Sequence, residues 1–385
     1  MLLTLGMAGC NKDETRQPDP VTVKEIKLDK NTLTLNIGET GQLTATVLPD
    51  NADDKTVVWK SDDERIATVS ESGLVTAVAE GEAIVTATAG GKKSTCTVTV
   101  TDPDNITADF DPYFARVLEE KGYIPNAAHI TLADVQDIEA IDVSGTSSSN
   151  PDPLASLKGI EHFGSLKTLD CFYNQLTSLD VSKNTALESL YCYSNQLTSL
   201  DVSKNMALKY LNCNDNQLTS LDVSKNTALG DLDCENNQLT SLDVSQNTTL
   251  EYLYCSYNQL TSLDVSQNTA LKSLHCDSNQ LTLLDVSRNT ELTNLICSFN
   301  QLTSLDVSSN TALKYLDCIS NQLTSLDVSK NTALEYLNCE NNPGNGSGVF
   351  PVTARFGNDA VPADFTTGSW QYNGQLVTID YRKAE

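Results

Sequence analysis

The sequence predicts a mainly β chain of two parts: a small antiparallel sandwich, then a parallel β-solenoid with a short helical cap before it and a β cap after it. Three observations carry this. Residues 21–101 alternate apolar and polar side chains in short runs separated by turn residues, the pattern of half-buried antiparallel strands. From Leu166 to residue 342 the chain repeats every 21 residues, and a fixed period of that length marks stacked coils. No stretch of about 18 apolar residues offers a spanning helix. The 385 residues divide as 1–20, 21–101, 102–165, 166–342 and 343–385.

Residues 1–20 read as an export segment and tether. Met1–Gly9, MLLTLGMAG, is apolar and ends in small residues before Cys10. This resembles the end of a bacterial lipoprotein signal peptide, although the basic start is missing and Met7 stands where Leu is usual. The resemblance implies lipidation of Cys10, with each buried CH₂ of its acyl chains contributing about 0.8 kcal/mol of membrane affinity. The following Asn11-Lys12-Asp13-Glu14 resembles the surface-export signal of Bacteroidetes lipoproteins. Together these imply a protein on the outer membrane, held by lipid alone and facing the cell exterior.

In residues 21–101 the period-two runs include Glu25-Ile26-Lys27-Leu28, Ile66-Ala67-Thr68-Val69 and Ala83–Thr88, with Trp59 as the expected core anchor. Leu33…Gly38-Glu39, Val58-Trp59-Lys60-Ser61-Asp62, Ile66-Ala67-Thr68-Val69 and Gly73-Leu74-Val75-Thr76-Ala77…Gly81 resemble the group 2 bacterial Ig-like domain. That resemblance implies a spacer or adhesin module. Cys96 is alone in this segment, which leaves no inter-sheet disulfide.

Residues 102–165 begin with a linker. Asp111 before Pro112 predicts a helix over 112–121 stopping at Gly122. Thr131 with Asp134 predicts a second helix over 132–139. In related surface proteins a similar helix pair carries an EF-hand-like loop. Here residues 121–130 contain no Asp or Glu, so calcium binding is not supported. The segment reads as an apolar cap for the first coil.

Each 21-residue unit holds two half-repeats of the form L-x-x-L-x-[C/V]-x-x-N, as in residues 187–196 followed by 197–207. The first half occurs nine times, with Cys171, Cys192, Cys213, Cys234, Cys255, Cys276, Cys297, Cys318 and Cys339 at its sixth position. The second half occurs eight times, and an earlier half at 138–143 places the first coil near Ile138. The pattern resembles leucine-rich repeats, and its nested form resembles the bacterial subclass called IRREKO. The resemblance implies inward first, fourth and sixth positions, Asn residues that cap turns, and two short parallel strands per coil. The cysteines lack metal-ligand spacing and replace an inward Leu, so they read as buried, inert thiols.

The third, fifth and seventh positions of each half are expected to face solvent. In the second half they read Ser-Asp-Ser in seven of eight copies, Leu283 being the exception. In the first half they vary and hold many tyrosines: Tyr191, Tyr193, Tyr210, Tyr252, Tyr254, Tyr315 and Tyr336, with Tyr173 and Tyr257 at the edge. Tyr among Asn, Asp and Ser is binding-surface chemistry, giving large contact area and adaptable hydrogen bonds at low ordering cost. The constant face carries Asp180, Asp201, Asp222, Asp243, Asp264, Asp285, Asp306 and Asp327. Carboxylates spaced about 4.8 Å apart repel, so Ser/Thr hydrogen bonds, nearby lysines or bound cations must offset that; a cation-binding ladder is the weak metal candidate.

Residues 343–385 leave the repeat at Pro343-Gly344, and their strand-like runs are expected to cover the last coil. With 25 Lys+Arg against 51 Asp+Glu, the net charge of −26 opposes binding to nucleic acid. Three histidines at unrelated positions supply little acid–base or metal chemistry. No cofactor is implied. The function that follows is recognition without turnover, of a protein or a glycan, by the variable tyrosine-rich face. The rival readings are an envelope spacer and, remotely, a glycan hydrolase using Asp231, Asp233 and Glu235, which an exposed strand without a pocket would leave at ordinary pKa values.

Overall fold

The computed structural model describes residues 19–146, 152–355 and 361–383, in two compact units, 1–104 and 105–385. Cys10 and the Lys-acidic run after it lie outside the described residues.

The first unit is a β-sandwich. A four-stranded sheet runs Thr32–Asn36, Lys92–Thr101, Gly81–Ala89, Val58–Ser61, and a three-stranded sheet runs Thr40–Gln42, Leu74–Ala77, Ala67–Val69. Glu25–Leu28 pairs with Ala45–Leu48 as a separate ribbon. Strand alternation delivers Leu43, Ala67, Val75, Val85, Cys96 and Val98 to the core. Trp59 is not at its centre. The ring is half-buried and packs between two apolar clusters, lying over Gly73 so closely that a Cβ there would fall 2.7 Å from it. The full burial expected of Trp59 goes to Leu43 instead.

The second unit opens with the helix Pro112–Glu120, whose first turn is capped by Asp111 accepting from the Tyr113 and Phe114 amides at 2.9 and 3.0 Å. Phe114, Ala115 and Leu118 face inward, and Gly122 takes the left-handed conformation beyond the end. The second helix is one turn, Leu132–Val135, rather than 132–139. The half-repeat at 138–143 takes over: Ala140–Asp142 is already the first strand of the solenoid, with Ile141 and Val143 buried.

Ten parallel strands form the solenoid sheet, from Ala140–Asp142 to Tyr336–Asn338. From Thr168–Asp170 onward every residue pairs with the one 21 positions later, as Leu190 with Leu211. Each ten-residue first half supplies a three-residue strand, and its cysteine lies completely buried behind it. Burial pushes these thiols well above the usual range, which keeps them protonated and inert.

One expectation fails here. Each coil has one strand, not two; the sole strand in a second half is Leu326–Asp327, paired with the cap. In every second half, that of Asp327 included, the aspartate accepts the amide of the serine two residues on, as Asp201 accepts from Ser203 at 2.9 Å. That turns the backbone away from the coil-to-coil ladder.

Two rows of buried asparagines tie the coils together. Asn237 donates to Cys213 O, Cys234 O and Glu235 O at 3.1, 3.3 and 3.0 Å, and accepts from the Leu218 amide at 2.9 Å. In the other row Asn226 donates to Val202 O and Asn205 O. The last coil is covered as expected. The strands Val349–Ala354, Ser369–Tyr372 and Gln375–Lys383 form a sheet with Leu326–Asp327, and Trp370 donates its Nε1–H to Asn342 O at 2.8 Å.

Replacing Asn237 by Ala strands the Leu218 amide, at a cost of about 1–3 kcal/mol, and takes one of two donors from Cys213 O and Cys234 O, which keep Asn216 and Asn258. Urea unfolding of Asn237→Ala should show a loss of about 1–3 kcal/mol, against almost none for Gln238→Ala at the exposed neighbouring position.

Candidate functional site

The varied strand face is not uniformly exposed. Tyr210, Tyr252 and Tyr257 are well exposed, at 48%, 37% and 57%. Tyr173, Tyr191, Tyr193, Tyr254, Tyr315 and Tyr336 are half-buried. Three positions expected in solvent are buried: Ser256, Ser273 and Ser298. The hydroxyls of Ser256 and Ser298 donate to carboxylates of the next coil, Asp277 and Asp317, which draws both serines under the surface.

The nine candidate tyrosines divide into groups. Near the start of the sheet, Tyr193 stacks on Phe172 with centroids 4.4 Å apart, and Tyr173 meets Tyr193 edge-on at 5.4 Å. Near its end, Tyr315 and Tyr336 stack at 4.1 Å, almost parallel. Between these groups, Tyr191, Tyr210 and Tyr254 gather with Leu211, Asn212, Asp231 and Asp233 around a hollow of about 130 Å³. Tyr252 extends the same face one coil on, opposite Asp231 in the sheet. Tyr173 and Tyr257 occupy the eighth position of their half-repeats, where the backbone is left-handed (φ 51° and 53°) and turns off the strand. Phe299 shares that position and is 55% exposed; an apolar residue at the eighth position was the signal for it.

The hollow has its own electrostatics. Burial raises the carboxyls of Asp231, Asp233 and Glu235 above their usual range. Asp231 and Asp233 are raised further by neighbouring carboxylates, Asp233 next to Asp231 and Asp215 next to Asp233. The expectation that these acids lack a pocket is therefore corrected: the tyrosines on the adjacent strands supply the walls. Asp233 is held in place, accepting from Asn212 and Asn214 at 3.0 and 2.7 Å. Asp231 has no hydrogen-bond or ion-pair partner among the described residues.

The constant face behaves differently. Its carboxylates each accept their own coil's serine amide at 2.9 Å, from Asp180–Ser182 to Asp327–Ser329. Hydrogen bonds from the serines hold Asp180 and the six that follow, through Asp306, below the usual carboxylate range. Of the offsets considered for their repulsion, the serine hydrogen bonds are the largest present, and Lys183, Lys204, Lys225 and Arg288 add a smaller one at Asp180, Asp201, Asp222 and Asp285. Among the described residues no three His, Cys, Asp or Glu side chains gather as a metal-binding group.

The family profile for the bacterial Ig-like domain (group 2) matches residues 22–100, and that for leucine-rich repeats (2 copies) matches residues 165–205. The chain joins a group 2 bacterial Ig-like domain to a leucine-rich-repeat solenoid. A solved structure from Listeria monocytogenes, the functional domain of InlJ, is 36% identical, with a TM-score of 0.58 over 66% of this chain and 57% of that one. That domain includes a cysteine ladder; in this chain the cysteines from Cys171 to Cys339 are free and buried. The Ig-like domain also resembles parts of two enzymes. A lacto-N-biosidase from Bifidobacterium bifidum is 45% identical over 100 residues, covering 26% of this chain and 9% of the enzyme. An alpha-L-arabinofuranosidase from Bifidobacterium longum is 41% identical over 106 residues, covering 26% and 10%. The chain thus spans about a tenth of either enzyme.

A carboxyl whose pKa is raised in the folded state destabilises that state once ionised. The penalty is present above the folded pKa and vanishes as pH falls toward the ordinary value of about 3.9. Asp231→Asn should therefore raise the melting temperature at pH 7, and calorimetry should show the gain shrinking to nothing by about pH 4.

Proposed function

We propose that this chain is a lipid-anchored protein of the outer membrane, facing the cell exterior, that recognises another protein through the varied strand face of its solenoid. The observation that carries the reading is the hollow between Tyr191, Tyr210 and Tyr254: a partly buried, side-chain-sized depression walled by aromatic rings, on the one face whose residues change from coil to coil. Half-buried tyrosines held in place by their neighbours lose little freedom on binding, so more of their contact energy appears as affinity.

A protein ligand is favoured over a glycan by the way the rings are used. Stacking on a sugar needs a free ring face. Here Tyr193 lies on Phe172 and Tyr315 on Tyr336, so the faces between them are covered and edges and hydroxyls are what they offer. The Ig-like domain fits a spacer role, since its relatives include modules within much longer enzymes. Catalysis is disfavoured by size: about 130 Å³ is well below the roughly 300–1,000 Å³ of small-molecule sites. The anchor rests on Cys10 and the residues before it.

The test is binding of the full chain to an array of extracellular-matrix proteins and glycans, beside a variant with Tyr191, Tyr193, Tyr252 and Tyr254 changed to Ser. The expected outcome is a protein partner whose signal is lost in the variant while its melting profile shows it folded. Partners that bind both forms equally would place recognition elsewhere, and binding to glycans alone would overturn the protein reading.

A further inference from the structure

We infer that the hollow at Tyr191, Tyr210, Asp231, Asp233 and Tyr254 is a receptor for a single basic side chain, an arginine, presented by the partner protein. This rests on the reading above and names what the face takes at its centre.

The argument starts from charge. The outward positions of the nine first halves carry seven carboxylates, Asp170, Asp231, Asp233, Glu235, Asp277, Asp317 and Glu340, and no Lys or Arg. Cations stand one residue before four of the nine strands, and all four are engaged there: Lys167 with Glu139, Lys209 with Glu188, Lys272 with Glu251 and Lys314 with Glu335. The other five strands carry Glu, Thr or Gly at that position, and the residue immediately before Asp231 is Gly230. The glycine is not a steric necessity, because a Cβ there would meet nothing nearer than 3.9 Å. The most acidic strand therefore has no lysine of its own.

Three features then point to one kind of occupant. Asp231 is a half-buried carboxylate with no partner among the described residues, and an ionised group in that position gains most from a cation that arrives with hydrogen-bond donors. Tyr191, Tyr210 and Tyr254 wall the same space, and aromatic rings attract a guanidinium through their quadrupole. The volume of about 130 Å³ admits about four waters' worth of matter, one side chain rather than a sugar or a nucleotide. Arginine suits it better than lysine, since a planar fork can pair with carboxylate while stacking on a ring. The net charge of −26 steers such a partner inward and repels acidic ones.

The test uses the full chain with isotope-labelled tyrosines, titrated with acetyl-Gly-Arg-Gly-amide and followed by NMR. The citrulline peptide, with the same shape and no charge, is the comparator. The expected result is dissociation in the millimolar range, with shifts at Tyr191, Tyr210 and Tyr254 that fade as salt is raised. Affinity should fall about tenfold in Asp231→Asn and about threefold in Tyr210→Leu. Equal binding of the citrulline peptide, no shift at those three tyrosines, or the same shifts from calcium chloride alone would overturn the inference. A partner found on the array that binds Asp231→Asn as well as the parent would also overturn it, while leaving recognition by the tyrosine face in place. Conversely, arginine peptide binding with no protein partner on the array would sustain the pocket and remove the larger reading.

Discussion

Two rows of buried asparagine amides set the terms for everything else in the solenoid. Where a coil turns off its strand, its carbonyls have no place in the coil-to-coil ladder, and buried carbonyls without donors are costly. Asn195, Asn216, Asn237 and their successors answer this by donating to two coils at once while accepting an amide from the segment after the preceding turn. The second row, Asn184 to Asn331, works differently: each amide donates twice to the segment one coil back, and its side-chain oxygen accepts no hydrogen bond. An amide that bonds both its own coil and the one before it leaves no freedom in length. Each coil must be 21 residues, with Leu, Leu, Cys or Val, and Asn at fixed places.

That constraint also explains why one face is constant and the other varied, although both halves of the repeat are of one age. On the strand side the ladder already satisfies the backbone, so the outward side chains carry no structural task and are free to differ. On the other side there is no continuous ladder, and the aspartate supplies an acceptor for the serine amide in every coil. Ser-Asp-Ser is retained there because the turn requires it. The tyrosine-rich face is therefore the place where sequence can serve recognition without cost to the framework. Its centre goes further, since the Asp231 carboxylate is held partly buried against its own solvation.

Much of this was legible in the residues. The 21-residue period gave the parallel sheet and its register. Replacement of an inward Leu gave the buried thiols, and Asp111-Pro112 gave the helix start. Three things were hidden because they depend on competition between local bonds. Asp-x-Ser in the second half reads as strand by alternation, yet the aspartate–serine bond diverts the backbone. Ser256, Ser273 and Ser298 read as outward by period, yet lie buried, two of them bonded to the carboxylates of the next coil. The hollow was invisible because its tyrosines and acids come from neighbouring coils, and no single repeat contains it. Trp59 likewise sits between two clusters rather than within one.

The central claim is that coil register, fixed by the asparagine rows, governs the fold independently of what the outward positions carry. Excising one whole coil, residues 250–270, tests this most directly, with removal of only the first half, residues 250–259, as the comparison. The account predicts that the 21-residue excision retains cooperative thermal unfolding and slow amide exchange on both sides of the join, because Leu271 then follows Thr249 in register. The ten-residue excision should lose both. A whole-coil excision that unfolds the solenoid, or a half-coil excision that leaves it intact, would contradict the claim.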